Sequence, residues 1–225
     1  MKNLSKASLI TTAGLLGSAA LLVGWTGTAG TADSTSSDRS TAETVTTTAR
    51  EATPYTIEPV HSNVLFKIRH VGAANFYGRF NEFSGTVGFD EDAGELVSVN
   101  LVIPMESVDS NSARRDGHIK SGDFFNVGQY PTASFESTGY TATGDGTGTL
   151  TGNLTFLGET KEISADVVDI GTGVQAGTPK VGFEAHFEFQ RTDYGSTTYV
   201  ADDGGEDGPL GNTVQIIVAV EAAKD

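Results

Sequence analysis

The stretch "VGFEAHFEF", residues 181–189, decides how this chain folds. Val181, Phe183, Ala185, Phe187 and Phe189 alternate with Gly182, Glu184, His186 and Glu188. A period of two puts the five apolar side chains on one face and the polar ones on the other, which is a half-buried β-strand. A helical period would scatter the same phenylalanines around a circumference.

The signal repeats outward along the chain. In "VQIIVAVEA" (214–222), Val214, Ile216, Val218 and Val220 share a face. Upstream, "KEISADVV" (161–168) sets Ile163, Ala165 and Val167 together, and "LTGNLTF" (150–156) does so with Leu150, Leu154 and Phe156. "VSVNLVI" (97–103) aligns Val97, Val99, Leu101 and Ile103, and "VLFKIRH" (64–70) aligns Val64, Phe66, Ile68 and His70. With the runs 76–89 and 132–140 the count is about eight strands. Turn signals separate them: "DEDAGE" (90–95), "GDG" (144–146), Gly158 and "GTGVQAGTPK" (171–180). Most connections are too short for helical crossovers, so neighbours pair antiparallel. Eight strands with one apolar face each close into a barrel or pack as a sandwich. All twelve phenylalanines lie between Phe66 and Phe189. Eight of them fall on the apolar face of a strand: Phe66, Phe83, Phe89, Phe135, Phe156, Phe183, Phe187 and Phe189. An eight-stranded barrel is wide enough to be filled by such side chains or to hold one small ligand.

Charge narrows the partners. Of 14 Lys and Arg, four precede Glu51; of 29 Asp and Glu, three do, so residues 51–225 carry 10 positive and 26 negative charges, a net of −16. Phosphate recognition needs the opposite surplus, which argues against nucleic acid as a partner. Anionic lipid surfaces repel the domain by the same logic. The chain has no cysteine, which excludes a disulfide framework, a thiolate metal site, a Cys nucleophile and a lipoprotein anchor.

Residues 1–32 place Lys2 and Lys6 before a largely apolar run (7–25) and small residues at Gly27, Ala29, Gly30 and Ala32. This is the layout of a secretory signal peptide, with an uncleaved inner-membrane anchor as the alternative. The expected location is the periplasm or the exterior. Residues 33–54 hold eleven Ser or Thr in 22 positions and one large apolar residue, Val45, so they read as a disordered linker. The folded domain is expected over 55–225.

Four pieces of this domain resemble, in order, the YceI-like family of bacterial polyisoprenoid-binding proteins. "HSNVLFKIRHVGAANFYGRFNEFSG" (61–85) resembles the family's opening. "RDGHIKSGDFFN" (115–126) followed by "YPTASFES" (130–137) resembles its central signature. "GNLTFLGETKEISADV" (152–167) is similar to the next hairpin, and "FQRTDYG" (189–195) to the closing Arg-x-Asp-aromatic-Gly element. The resemblance implies an all-β, eight-stranded antiparallel lipocalin-like barrel with a short helix at one end. It further implies an isoprenoid lipid or quinone held inside with its polar head near the mouth, no cofactor and no catalysis. Stable membrane insertion of the barrel is not expected, and a homodimer is compatible with it. Two features depart from the family pattern: the long Ser/Thr linker and the acidic loop "YVADDGGEDGPLGN" (199–212).

Several residues admit two readings. The run 112–131 contains Arg114, Arg115, Asp116, His118, Phe124 and Phe125. An Arg–Asp–His active site needs His118 oriented by a partner such as Asp116. A serine nucleophile would also need the G-x-S-x-G elbow, which is missing. The favoured alternative is a helix across the barrel end, with Phe124 and Phe125 plugging the core and the charges pairing with Asp193 and Arg191. His61, His70, His118 and His186 lack metal-site spacing. The four carboxylates of "ADDGGEDG" (201–208) do not fit a calcium loop and read as a solvated acidic loop. The expected ligand-binding set is therefore Phe66, Ile68, Phe83, Phe124, Phe135, Phe156, Phe183 and Phe187 for the chain, and His70, Arg115, His118 and Arg191 for the polar end. The competing expectation is an interaction or stress-response module whose barrel is fully packed and which acts through its acidic loops.

Overall fold

In the computed structural model, which describes residues 51–225, nearly every segment is strand. The elements are β1 Thr53–Ile57, β2 Asn63–His70, β3 Ala74–Phe80, β4 Ser84–Asp90, β5 Glu95–Pro104, β6 Val108–Asp109, α1 Ala113–Lys120, β7 Thr132–Gly144, β8 Thr147–Phe156, β9 Glu159–Gln175, β10 Thr178–Gln190 and β11 Leu210–Lys224. Residues 1–50, with the expected leader and most of the expected linker, lie outside the described residues. Thr53 and Pro54, the end of that expected linker, already belong to β1. Among the described residues no helix is long and apolar enough to cross a membrane.

Every pairing is antiparallel, and eight strands close a ring in the order β1-β4-β5-β7-β8-β9-β10-β11, with β11 returning to β1. Closure decides for a barrel over a sandwich. The eight are not quite those counted from the sequence. The 76–89 run is two strands, β3 and β4, broken at 81–83. β1 also joins the ring, while β2, β3 and the two-residue β6 lie outside it. β11 explains how. Its last residues pair with β1 (Ala222↔Ile57, Lys224↔Tyr55), and its earlier part pairs with β2 on the same edge (Ala219↔Asn63 to Leu210↔His70). A 3-10 turn, Pro59–His61, carries the chain from one limb to the other. The wall thus continues past the closed ring as β2, β3 and β6.

The alternation places the core. Val181, Val87, Leu96 and Ala222 have no exposed surface, and Phe89 and Tyr55 meet edge to face at 6.1 Å beside them. These residues seal the β1 end. In β5 a bulge opposite Gly88/Phe89 puts Leu96 rather than Val97 inside, so the expected phase holds only from Val99 on. Phe83 is 7% exposed but sits in the 81–83 break, not on a strand face as expected. Gly78 and Gly152 lie under the rings of Phe66 and Phe135, positions a Cβ would occupy. The aromatic covers a glycine across the sheet and restores the lost packing.

Candidate ligand-binding site

Away from the sealed end the barrel is not filled. A cavity of about 610 Å³ is walled by Val64, Phe66 and Ile68 of β2, Phe76 and Phe80 of β3, Leu154 and Phe156 of β8, Phe187 and Phe189 of β10, and Val214 and Ile216 of β11. Its remaining lining includes His70, Val71, Arg115, His118, Tyr199 and Pro209, all exposed, and these form the mouth. An apolar sack with polar groups at its opening suits a ligand with an apolar chain and a polar end. An apolar cavity of about 150 Å³ holds a benzene, so this one has roughly four times that room, about 24 carbons or five isoprene units.

The rim is built from local polar bonds. Asp109 Oδ1 accepts the Asn111 N–H (2.8 Å), which holds Asn111 in the left-handed region at φ 62° and starts the turn into α1. Asp116 reaches back from the first turn of α1 to accept from the Ser110 N–H (2.8 Å) and hydroxyl (2.5 Å). Arg115 donates through Nε to Ser110 Oγ (2.8 Å) and lays its guanidinium 4.4 Å above the Phe76 ring. Ser110 is 2% exposed, so this Arg–Asp–Ser cluster ties the helix to β6 and offers no reachable nucleophile. His118 pairs with Asp123 at 2.8 Å. Its ring meets Phe124 at 5.1 Å and Tyr199 at 6.2 Å, an aromatic group at the lip. Phe125 turns inward, stacking on Phe80 (6.1 Å) and meeting Phe156 edge-on (5.7 Å). So Phe125 is the plug and Phe124 belongs to the lip, whereas both were expected to plug.

The expected ion network is a correction. Asp116 is taken by Ser110, His118 by Asp123, and Asp193 is exposed. Arg191, 3% exposed, donates instead to three backbone carbonyls: Nε to Gly211 (2.8 Å), Nη1 to Ser196 (3.1 Å) and Nη2 to Leu210 (3.2 Å). Burial lowers its pKa from the usual value, and nearby Glu206 opposes that shift. Glu206 Oε1 itself accepts the Asn212 (3.2 Å) and Thr213 (2.7 Å) N–H groups. Both residues therefore staple the root of the acidic loop. A 3-10 turn, Arg191–Tyr194, presents the arginine and ends on Gly195 at φ 82°.

Nine of the twelve expected residues line the large cavity: Phe66, Ile68, His70, Arg115, His118, Phe124, Phe156, Phe187 and Arg191. Phe135 and Phe183 line a second, smaller cavity of about 50 Å³ that also touches Phe187. Phe83 lines neither, because the break at 81–83 takes it off the strand face. The reading missed Phe76, Phe80 and Phe189 as lining, although their parity with Phe66's partner Gly78 and with Phe187 carries the signal. Nothing in the sequence announced Tyr199, which reaches the mouth from the loop before β11, or Leu210, the first residue of β11.

Two polar clusters remain. Glu58, His61 and Glu221 converge within 4.8 Å, the one such metal-type group among the described residues. Lys180, 8% exposed, is 2.6 Å from Glu58 and holds that carboxyl below its ordinary range, so the cluster is occupied by its own ammonium. In the acidic loop, Asp203 Oδ1 accepts the Gly205 N–H at 2.9 Å, and Asn212 donates to the Gly204 carbonyl at 3.0 Å. These bonds shape the loop's own turn.

Comparison with known proteins agrees with this geometry. A family model described as "YceI-like domain" matches residues 55–222. A UPF0312 protein of Pseudomonas paraeruginosa is 40% identical over 170 residues, covering 74% of this chain and 84% of its own. Among solved structures, a Campylobacter jejuni YceI protein superposes with TM-score 0.59 at 27% identity, over 68% of this chain and 86% of its own. A polyisoprenoid-binding domain from Saccharophagus degradans, described as implicated in plant cell wall breakdown, shares the fold with TM-score 0.55 at 14% identity, over 76% of this chain and 98% of its own.

Proposed function

The chain belongs to the YceI-like family, and from that premise we propose that it is an exported, non-catalytic protein that carries or sequesters an isoprenoid lipid, of polyprenyl or quinone type, in its barrel. The observation that carries the reading is the 610 Å³ apolar cavity with its polar groups confined to the mouth. Burying an apolar chain there gains about 0.8 kcal/mol per CH₂ before the costs of association. The head stays at the rim, within reach of His70, Arg115 and His118, while Phe124 and Tyr199 cover the first units of the chain. That volume favours this reading over the competing expectation, a fully packed barrel acting through acidic loops. The loop's Asp203 and Glu206 are also engaged with backbone. Export is supported by the pattern of residues 1–32, and the absence of catalysis by the burial of Ser110 inside the Arg–Asp–Ser cluster.

Isothermal titration with geranylgeraniol and with geranylgeranyl phosphate tests the reading. Saturable one-to-one binding with a negative heat-capacity change is expected, the mark of apolar burial. Absence of saturable heat with both lipids, at two temperatures, would remove the carrier role.

A further inference from the structure

Three strands rank the barrel interior by depth. Along β10 the inward residues run Phe189, Phe187, Ala185, Phe183, Val181; along β11, Val214, Ile216, Val218, Val220, Ala222; along β5, Ile103, Leu101, Val99, Leu96. Phe189 and Val214 touch only the large cavity. Ala185, Phe183, Val218, Val220, Leu101 and Val99 touch only the small one. Between them lies a layer that touches both: Ile103, Ala133, Leu154, Phe187 and Ile216. Phe187 is the sole aromatic in that layer. It pairs directly with Ile216 and stacks on Phe189 at 6.3 Å on its mouth side. On its other side is the void.

That void is about 50 Å³. A cavity of about 150 Å³ takes one benzene, so the lower chamber is too small for an isoprene unit while the Phe187 ring stands over it. Its lining is almost wholly aliphatic and aromatic, so it stays dry. An empty apolar void also forfeits dispersion contacts, which costs the fold and contributes nothing to it.

We propose that Phe187 is the floor of the binding site and sets the longest isoprenoid chain the barrel accepts, the lower chamber being the space it denies. This inference rests on the carrier reading of the preceding subsection. The upper chamber holds roughly five isoprene units by the same comparison. Trimming Phe187 to alanine joins the chambers and adds space of the order of one benzene, hence about one further unit.

The test is a chain-length series of all-trans prenyl alcohols from three to eight units, titrated into the full chain and into Phe187→Ala. Wild type is expected to tighten with each unit up to about five and then change by no more than about twofold per unit. Phe187→Ala is expected to bind the first chain beyond that plateau at least about tenfold tighter than wild type does. Phe187→Leu, a smaller change in volume, shifts the preference in the same direction by less. Ala185→Val, which adds two carbons to the lower chamber and so stays within its volume, leaves wild-type preference alone and reduces the gain in Phe187→Ala. Coincident plateaus in wild type, Phe187→Ala and Phe187→Leu, with thermal unfolding showing folded protein, overturn the floor while leaving the carrier reading intact. Failure of wild type to bind any member overturns both.

Discussion

Replacing Arg191 by lysine isolates what holds the mouth together. The guanidinium satisfies three carbonyls at once, from Ser196, Leu210 and Gly211, and two of those residues, Ser196 and Gly211, are buried. A lysine keeps the charge, but its single ammonium cannot span acceptors arranged around a planar fork. Two carbonyls are then stranded, each costing about 1–3 kcal/mol, so the expected loss is about 2–6 kcal/mol. For a domain of this size, at about 2–4 °C per kcal/mol, that is a fall in Tm of roughly 4–24 °C. Urea unfolding gives the free energy, and hydrogen exchange gives the location. The Leu210 amide, bonded to the Tyr199 carbonyl at 3.0 Å, and the Val71 amide, bonded to Pro209 at 3.1 Å, should lose protection first. If R191K stays within about 1 kcal/mol of wild type with those amides still protected, Arg191 does not staple the loop and the reasoning is wrong.

Tyr194 Oη is buried without a hydrogen-bond partner among the described residues, so Tyr194→Phe should raise stability by about 1 kcal/mol; a loss of stability by calorimetry would refute this. Tyr55 and Tyr194 both have phenol pKa values pushed up to about 12, mainly by burial, with Glu91 adding to the shift at Tyr55 and Asp193 at Tyr194. The unfolded chain loses these protons near pH 10, before the folded one, so stability is full below 10 and falls as the pH rises from 10 to 12. A Tm that is flat across that window contradicts the burial argument. Gly78→Ala should cost about 1–3 kcal/mol in urea unfolding, because the new Cβ would sit against Phe66 Cζ and force the ring to turn. An unchanged midpoint would mean the ring has room that the packing denies.

The barrel's inner faces were legible because 150–156 of β8, 181–189 of β10 and 214–222 of β11 keep their inward side chains at every second residue, and period 2 admits one solution once one face is buried. Val181, Phe183, Ala185, Phe187 and Phe189 all point where the alternation put them. The alternation broke where the backbone breaks. The 81–83 interruption in the 76–89 run carries no Gly–Pro punctuation of its own, so Phe83 was placed on a face that does not exist there. The bulge at Val97 swapped Leu96 inward for the same reason. β1 escaped notice because five residues with two buried side chains, Tyr55 and Ile57, are too short to show a period. At the mouth, composition located the polar residues but not their partners. Arg191 was expected to pair with the charges of the 112–131 run, yet a 3-10 turn sends its guanidinium to carbonyls as far along the chain as Gly211. Contacts formed across loops depend on closure of the whole barrel, which no local pattern encodes.

The most direct test of the central claim is native mass spectrometry of the full chain, exported by a bacterium that makes its own isoprenoids and purified without detergent. The account predicts a bound mass that extracts into organic solvent as a prenyl lipid, in one-to-one ratio with the protein. A clean ligand-free mass, unchanged after incubation with ubiquinone and with polyprenyl phosphate, would contradict it.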